Sequence, residues 1–457
     1  MDDLIRLLTD IVTAEHVLTG DAINEEYSHD EVLTVEPRAP EVVVRPETSE
    51  QVSAVLRLAN DAGVPVTARG SGTGLSGACV PSSGGILLSF ERMNRILEID
   101  TENHVAVVEP GVTLAELDEA TREHGLVYPI FPGESSASLG GNIATNAGGM
   151  RAVKYGVTRH QVMGLEAVLA DGRIIRTGGK LVKVSSGYDL TQLIVGSEGT
   201  LAVVTKIILK LLPRLQHRST LLVAFESMPE VMQAVPRLVA TGVGPLMVEY
   251  IDKLTMVGMT RHRGIELAID AAVQERALAY LLMVVEGRSA ERVEGDVEEL
   301  GRLCLEMGAL EVFVMPPAAA GELIEARERT FWAGKEAGLN DIVDVVVPRA
   351  GIPRYMEKVR LVAQEHSTLI SGCGHAGDGN IHLGVFQPDP EKRSTIVKEL
   401  LEAAVDAGGA VSAEHGIGKA KKRYFLELVD SATMELMKRI KEAFDPKGIL
   451  NPGTIFD

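Results

Sequence analysis

The sequence predicts an α+β protein of two principal domains, a nucleotide-type domain followed by a ferredoxin-like α+β domain. Three observations lead there. The chain has 457 residues, more than one hydrophobic core usually serves. Up to Pro213, short β-patterned runs alternate with helical patterns and glycine-rich loops. Beyond Pro213 the glycine loops thin out into a strand-helix-strand texture.

The elements follow in order. Residues 1 to about 35 begin as a short amphipathic helix and become loop-like. Prolines 37, 40 and 46 bracket a strand at 41–45. A helix is expected over 48–62, with Thr48 as N-cap and Gly63 as stop. Strands follow at 64–68, 85–89 and 104–109, then a helix at 114–124. Residues 131–160 are glycine-rich, without long apolar runs. In the second half, strands are expected at 220–225 and 281–286, and helices at 229–241, 290–307, 318–340, 357–365 and 390–407. The predicted boundaries are 1–215 for the first domain (core about 36–215), 216–443 for the second, and a turn-rich tail at 444–457 returning to the first.

Composition excludes some functions. The formal net charge of -19 disfavours nucleic acid and anionic membrane surfaces. It also means that an anionic substrate needs a local cationic device. The three cysteines, Cys79, Cys304 and Cys373, form no CxxC, which argues against a disulfide framework or an iron–sulfur cluster and fits a reducing cytoplasm. No stretch reaches the ~18 apolar residues of a membrane span, and the acidic N-terminus is unlike a secretory signal. A cytoplasmic protein is expected, with peripheral membrane attachment through a partner left open.

Two glycine-rich runs carry the first functional signal. Gly72-Thr-Gly-Leu-Ser-Gly77 satisfies GxGxxG. A Rossmann site needs a helix directly after the glycines, and here the chain runs on into Cys79-Val-Pro-Ser-Ser-Gly-Gly85 and another strand. A turn of successive N–H groups binds phosphate without a helix, so a phosphate cradle is read rather than a tight surface loop. The second run, Pro132 to Gly149, is dense in small residues, with Asn142 and Asn146 as hydrogen-bonders against a flat polar ligand. Gly196-Ser-Glu-Gly-Thr-Leu-Ala-Val-Val204 offers further backbone contacts.

In the order ARGSGTGLSGA, PGESSASLGGNIATNAGG, KYG and GSEGTLAVVT, the chain resembles FAD domains of the vanillyl-alcohol oxidase/p-cresol methylhydroxylase type. The nearest subgroup is the glycolate oxidase D-subunit, D-lactate dehydrogenase and D-2-hydroxyglutarate dehydrogenase family. The resemblance implies that Arg69, Gly70, Ser71, Gly72, Thr73, Gly74, Leu75, Ser76 and Gly77 hold the FAD pyrophosphate. It implies that Pro132, Gly133, Glu134, Ser135, Gly140, Gly141, Asn142, Thr145, Asn146, Gly148 and Gly149 line the isoalloxazine and ribityl chain. Glu198, Gly199, Val204 and Asn451 complete the expected cofactor contacts. The loop 69–78 contains no histidine, so a non-covalent flavin is expected. Tyr155 is read either as a flavin contact or as a structural tyrosine.

A second cluster lies near the C-terminus. His375 and His382 sit seven residues apart in a glycine-rich turn, and Glu414 and His415 follow in Ser412-Ala-Glu-His-Gly-Ile-Gly418. Two histidines and a carboxylate suit a zinc or manganese ion, although His382, between Ile381 and Leu383, also reads as a satisfied strand histidine. By the resemblance, HxGDGNxH and EHGxG are metal motifs with His375, His382 and Glu414 as ligands, and His415 is the catalytic base. Zinc is the first choice and manganese the second. The expected reaction oxidises a small D-2-hydroxy acid (D-lactate, glycolate or D-2-hydroxyglutarate) to the 2-keto acid, with hydride passing to flavin N5.

One departure concerns the substrate carboxylate. Relatives tend to have Trp-x-x-Arg where this chain has Trp332-Ala-Gly-Lys335. Lysine gives a point charge rather than a bidentate fork. Arg327 and Arg329 upstream, and Arg349, are the other candidate clamps; Arg327 and Arg329 fall at different helical angles from Lys335, so only one of them is expected to point inward. Trp332, the single tryptophan, is read as a packing anchor, and Cys373 as a core residue rather than a ligand. Two competing readings keep the flavin: a non-redox, ether-lipid-synthase-like transferase, and an electron-transferring subunit of a larger glycolate oxidase complex. An electron acceptor, either a protein or a quinone, is expected as a partner, and a homodimer is allowed.

Overall fold

The computed structural model describes residues 2–81, 84–267 and 269–456; Ser82 and Ser83 of the loop after Cys79 lie outside them. The first half of the chain builds two main sheets and a two-stranded one, Leu126–Val127 with Leu212–Pro213. One is four-stranded, in the order Val17–Thr19, Val42–Val44, Ile86–Ser89, Val66–Arg69. Its last three strands are parallel, with Val42 and Val66 both level with Ile86. Parallel strands are covered on both faces and therefore read as continuous apolar runs, as Val42-Val-Val44 and Ile86-Leu-Leu88 do. The helix Ser49–Ala62 covers one face; Thr48 caps it by accepting from the Gln51 N–H, and Gly63 ends it at φ 64°. The second sheet is antiparallel, in the order Ile96–Asp100, Val105–Val108, Val203–Lys210, Val162–Val168, Ile174–Gly178.

The second half builds one seven-stranded antiparallel sheet. Strands His217–Phe225, Met247–Asp252, Ala279–Gly287 and Glu311–Met315, with helices Met228–Ala240 and Ala290–Glu306, form a βαββαβ unit. Number those strands 1 to 4 and their spatial order is 4-1-3-2, the ferredoxin-like arrangement. Strand Leu369–Gly374 adds beside Met247–Asp252, followed outward by Asn380–Phe386 and Asp341–Val346. Cys373 and Asp344 both pair with His382, from opposite sides. This places the polar residues of four adjacent strands in one small region of the sheet.

Two elements differ from the sequence expectation. Residues Leu139–Thr145 form a helix despite Gly140 and Gly141, because Ser138 accepts from the Gly141 N–H and Asn146 closes the turn at φ 53°. The expected helix over 318–340 is two, Pro317–Glu328 and Thr330–Glu336, meeting at Arg329.

Contacts between the halves include an apolar cluster of Met150 with Leu246, Met247 and Val284, and a set of specific polar bonds. The parallel strand residue Val66 exchanges backbone hydrogen bonds with the C-terminal tail at Ile449 and Asn451. Asn451 also donates to the carbonyls of Ala78 and Glu198, at 2.8 and 2.7 Å. Glu286, on the second-half sheet, accepts from Tyr155 at 2.5 Å, Lys154 at 3.1 Å and Arg218 at 3.2 Å. Tyr155 is thus held by a protein carboxylate. Burial opposes the charge of Glu286, yet Tyr155, Lys154 and Arg218 hold its carboxyl below the ordinary range. Glu286→Ala is expected to lower stability by about 2 kcal/mol at pH 7, seen as a lower urea midpoint. A carboxyl depressed in the folded state stabilises above its unfolded pKa and loses that contribution as pH falls, so the difference from wild type shrinks in acid.

Candidate functional site

One cavity of about 620 Å³ is lined both by the glycine-rich loops and by the polar residues of the second-half sheet. The loop after Arg69 leaves the C-terminal end of a parallel strand, where open α/β sheets collect ligands. Ser71 and Ser138 tie the two glycine loops together, each Oγ accepting from the other's N–H at 3.0–3.2 Å. A Cβ at Gly70 would lie 2.1 Å from Ser138 Oγ, so this junction requires glycine.

Every residue from Arg69 to Ser76 lines the cavity. Gly77 does not; its N–H is taken by Asp30 at 2.8 Å. In the second run Pro132, Gly133, Glu134, Gly140, Gly141, Asn142 and Thr145 line the cavity. Ser135, Asn146, Gly148 and Gly149 stand behind that wall. Asn146 accepts from the Arg159 N–H at 2.9 Å, and Gly149 (φ 115°) packs so closely that a Cβ would meet the Phe131 carbonyl at 2.1 Å. Gly148 abuts Glu414, whose Oε2 would be 2.8 Å from a Cβ there. Glu198, Gly199, Val204 and Asn451 all line the cavity.

This cradle suits a flavin dinucleotide. Among the described residues, none accepts from the N–H groups of Gly72, Thr73, Gly74, Leu75 and Ser76. Successive free N–H groups make an anion-binding concavity. The buried Asn142 Nδ2 and Asn451 Oδ1 also lack protein partners and line the same cavity.

At the other side of the cavity the histidines meet. His375 Nε2 and His382 Nε2 stand 3.3 and 3.2 Å from Glu414 Oε1. A tetrahedral ion with ligands at about 2.0–2.1 Å separates its donors by about 3.3 Å. The three donor atoms lie within 4.8 Å of one another, as do those of Asp344, His382 and His415. Glu249, fully buried, accepts from His375 Nδ1 at 2.7 Å and fixes which nitrogen faces the cavity. Burial opposes charge on His375, but Glu249 and Glu414 hold its imidazole well above the ordinary range. Burial likewise opposes charge on Glu414, and His375 and His382 hold it below the carboxylate range. The cluster is therefore negative enough to keep a proton on a buried imidazole, which is what a cation site demands.

His415 behaves differently. Burial pushes its imidazole down to about 4, so the ring is neutral near pH 7. Its Nδ1 is buried without a hydrogen-bond partner. The ring stacks on His382 at 5.3 Å and lines the cavity.

Of the candidate carboxylate clamps, the structure brings only Arg327 into the cavity wall. It is buried, with Nη2 paired to Glu249 Oε2 at 2.8 Å, and its buried Nε has no hydrogen-bond partner. Lys335 pairs with Glu31 at 3.0 Å and packs on Trp332. Arg349 is exposed, on the turn Arg349–Gly351. Trp332 is 37% exposed and lines the cavity, so it is less a packing anchor than expected. Cys373 is buried on its strand.

Sequence reasoning missed Asp344 and Glu249. Asp344 is fully buried and accepts from the Ser412 hydroxyl and the N–H groups of Ala413, Glu414 and His415, at 2.9–3.1 Å. A signal existed: each is a lone carboxylate inside an apolar strand run, Ile342-Val-Asp-Val-Val and Met247-Val-Glu-Tyr-Ile. Charged residues are almost never fully buried without a partner.

Comparison with known proteins agrees with this geometry. Residues 40–178 match the family described as "FAD binding domain", and 214–455 match "FAD linked oxidases, C-terminal domain". The chain is 51% identical over 456 residues to an uncharacterized FAD-linked oxidoreductase of Mycobacterium tuberculosis, covering 100% of this chain and 99% of that one. It is 41% identical over 437 residues to a D-lactate dehydrogenase of Archaeoglobus fulgidus, covering 94% and 96%. The fold is similar to that of p-cresol methylhydroxylase, at TM-score 0.82 and 19% identity over 100% of this chain and 97% of that one. The chain belongs to the FAD-linked oxidase family and is an FAD-linked oxidoreductase.

Proposed function

We propose that the protein is an FAD-dependent dehydrogenase that oxidises a D-2-hydroxy acid to the 2-keto acid with the help of a divalent ion. The carrying observation is the convergence in one cavity of three metal-type donors, a neutral histidine and a buried arginine whose Nε has no hydrogen-bond partner. When bound, FAD supplies the acceptor for the substrate's Cα hydride, and the ion, zinc or manganese, supplies Lewis acidity toward the hydroxyl.

His375, His382 and Glu414 hold the ion, with Glu249 orienting His375. Arg327 pairs with the substrate carboxylate, and its rigid setting against Glu249 limits how the substrate can turn. His415, neutral at working pH, takes the hydroxyl proton. The loop 70–76 holds the cofactor's pyrophosphate, and Asn142 and Asn451 complete its hydrogen bonds. The likeness to a D-lactate dehydrogenase supports the D configuration. Reoxidation falls to a separate acceptor, a partner protein or a quinone. No helix among the described residues is long and apolar enough to cross a membrane.

The direct test mixes the flavin-loaded protein anaerobically with D- and L-lactate. D-lactate is expected to bleach the flavin band near ~450 nm and L-lactate to leave it, as hydride transfer requires. A loaded flavin that no 2-hydroxy acid reduces contradicts the proposal. Removal of divalent ions is expected to lower kcat/KM by about 100-fold or more, with zinc or manganese restoring it. Turnover that survives complete ion removal contradicts the metal's role.

A further inference from the structure

The cavity does not end at the histidines. It continues among helix Lys253–Arg263, helix Thr330–Glu336 and strands Leu369–Gly374 and Asn380–Phe386. Its walls there are apolar: Met259, Phe331, Leu339 and Phe386 line it. Three further lining residues are large and solvent-exposed, Leu254 at 57%, Leu369 at 49% and Trp332 at 37%. Single exposed apolar side chains are ordinary, but three on one cavity make an apolar rim. Gly258 lines the same stretch, and a Cβ there would meet nothing within 4 Å. A glycine inside a helix is less stable than alanine, so open space is kept at this position at the expense of stability.

Charge points the same way. Among the described residues lining the cavity, the only lysines or arginines are Arg69 and Arg327. Arg69 is engaged in the first glycine loop, donating to the His29 carbonyl at 2.6 Å. Lys335, the nearby cation, is turned to Glu31. Glu328 also lines the cavity, with its carboxyl pushed up to about 7 by burial, so a second substrate carboxylate would find no cation beside it there. One guanidinium serves one carboxylate, and the remaining walls suit carbon.

We infer that the preferred substrate is a 2-hydroxy monocarboxylic acid with an extended apolar side chain, rather than lactate, glycolate or a dicarboxylic hydroxy acid. The α-carboxylate sits on Arg327, and the side chain lies along Met259, Leu339 and Phe386 toward the rim at Leu254 and Trp332. This inference rests on the dehydrogenase reading of the same site.

The test measures kcat/KM by dye reduction for D-lactate, D-2-hydroxybutyrate, D-2-hydroxyhexanoate, D-2-hydroxyoctanoate and D-2-hydroxyglutarate, using the FAD-loaded full chain. The expected gain is about three- to fourfold for each added methylene that is buried. D-2-hydroxyglutarate is expected at least about tenfold below the hexanoate, for want of a cation. Gly258→Leu fills the open wall and is expected to reduce the octanoate-to-lactate ratio about tenfold or more. The series on the unaltered protein carries the test if that variant fails to fold. A flat or falling series, or D-2-hydroxyglutarate as the best substrate, overturns the inference while leaving the dehydrogenase reading intact. Flavin reduced by no member of the series overturns that reading itself.

Discussion

The buried carboxylate of Asp344 organises this molecule. Burial opposes its charge, and the neighbouring Lys421, together with its hydrogen-bond donors, holds it well below the usual carboxylate range. It accepts from Asn380 Nδ2 on the adjacent strand and from the hydroxyl and three N–H groups of residues 412–415. A charge in that position is tolerable only while those donors stay in place. The loop's shape is thereby fixed, and the loop carries Glu414 and His415. A few residues on, the N–H groups of Ile417 and Gly418 donate to Glu198 of the first half, both at 2.8 Å. One segment is thus gripped by a carboxylate from each half, and this grip sets the histidines against the glycine loops.

The same economy answers the charge problem of an acidic protein proposed to bind an anion. The net charge of -19 is not cancelled by a basic surface around the cavity. Arg327 is held by Glu249, and Glu249 also holds His375, so one buried carboxylate orients both the proposed substrate clamp and a proposed donor for an ion. Removing Glu249 would disturb both at once, which is why the two cannot be tuned independently.

Much of this was legible in the sequence, for physical reasons. Glycine loops announce themselves because close backbone approach excludes side chains, and the residues 69–76 all reach the cavity. His375, His382 and Glu414 come from two separate motifs, and the structure brings their donor atoms within 4.8 Å of one another. The second-half sheet was legible as strand-helix-strand texture, though its outer strands were not. What stayed hidden depends on long-range packing. Asp344 and Glu249 sit in apolar strand runs, where period-2 reasoning sees only a core. Lys335 stands next to the cavity in sequence, but its head group turns to Glu31, some three hundred positions away. The helix Leu139–Thr145 was missed because glycine content outweighed the Ser138 cap.

The central claim is that Asp344 builds the reactive loop without touching the flavin cradle. Asp344→Asn removes one charge while keeping shape, and the anaerobic rate of flavin reduction by the best hydroxy acid measures the consequence. The expected result is a full complement of FAD and a reduction rate lower by about 100-fold, in line with loss of a partner that orients the proposed metal ligands. A variant that binds FAD normally and reduces it within about twofold of the wild-type rate, a difference of under half a kcal/mol in barrier, would contradict it.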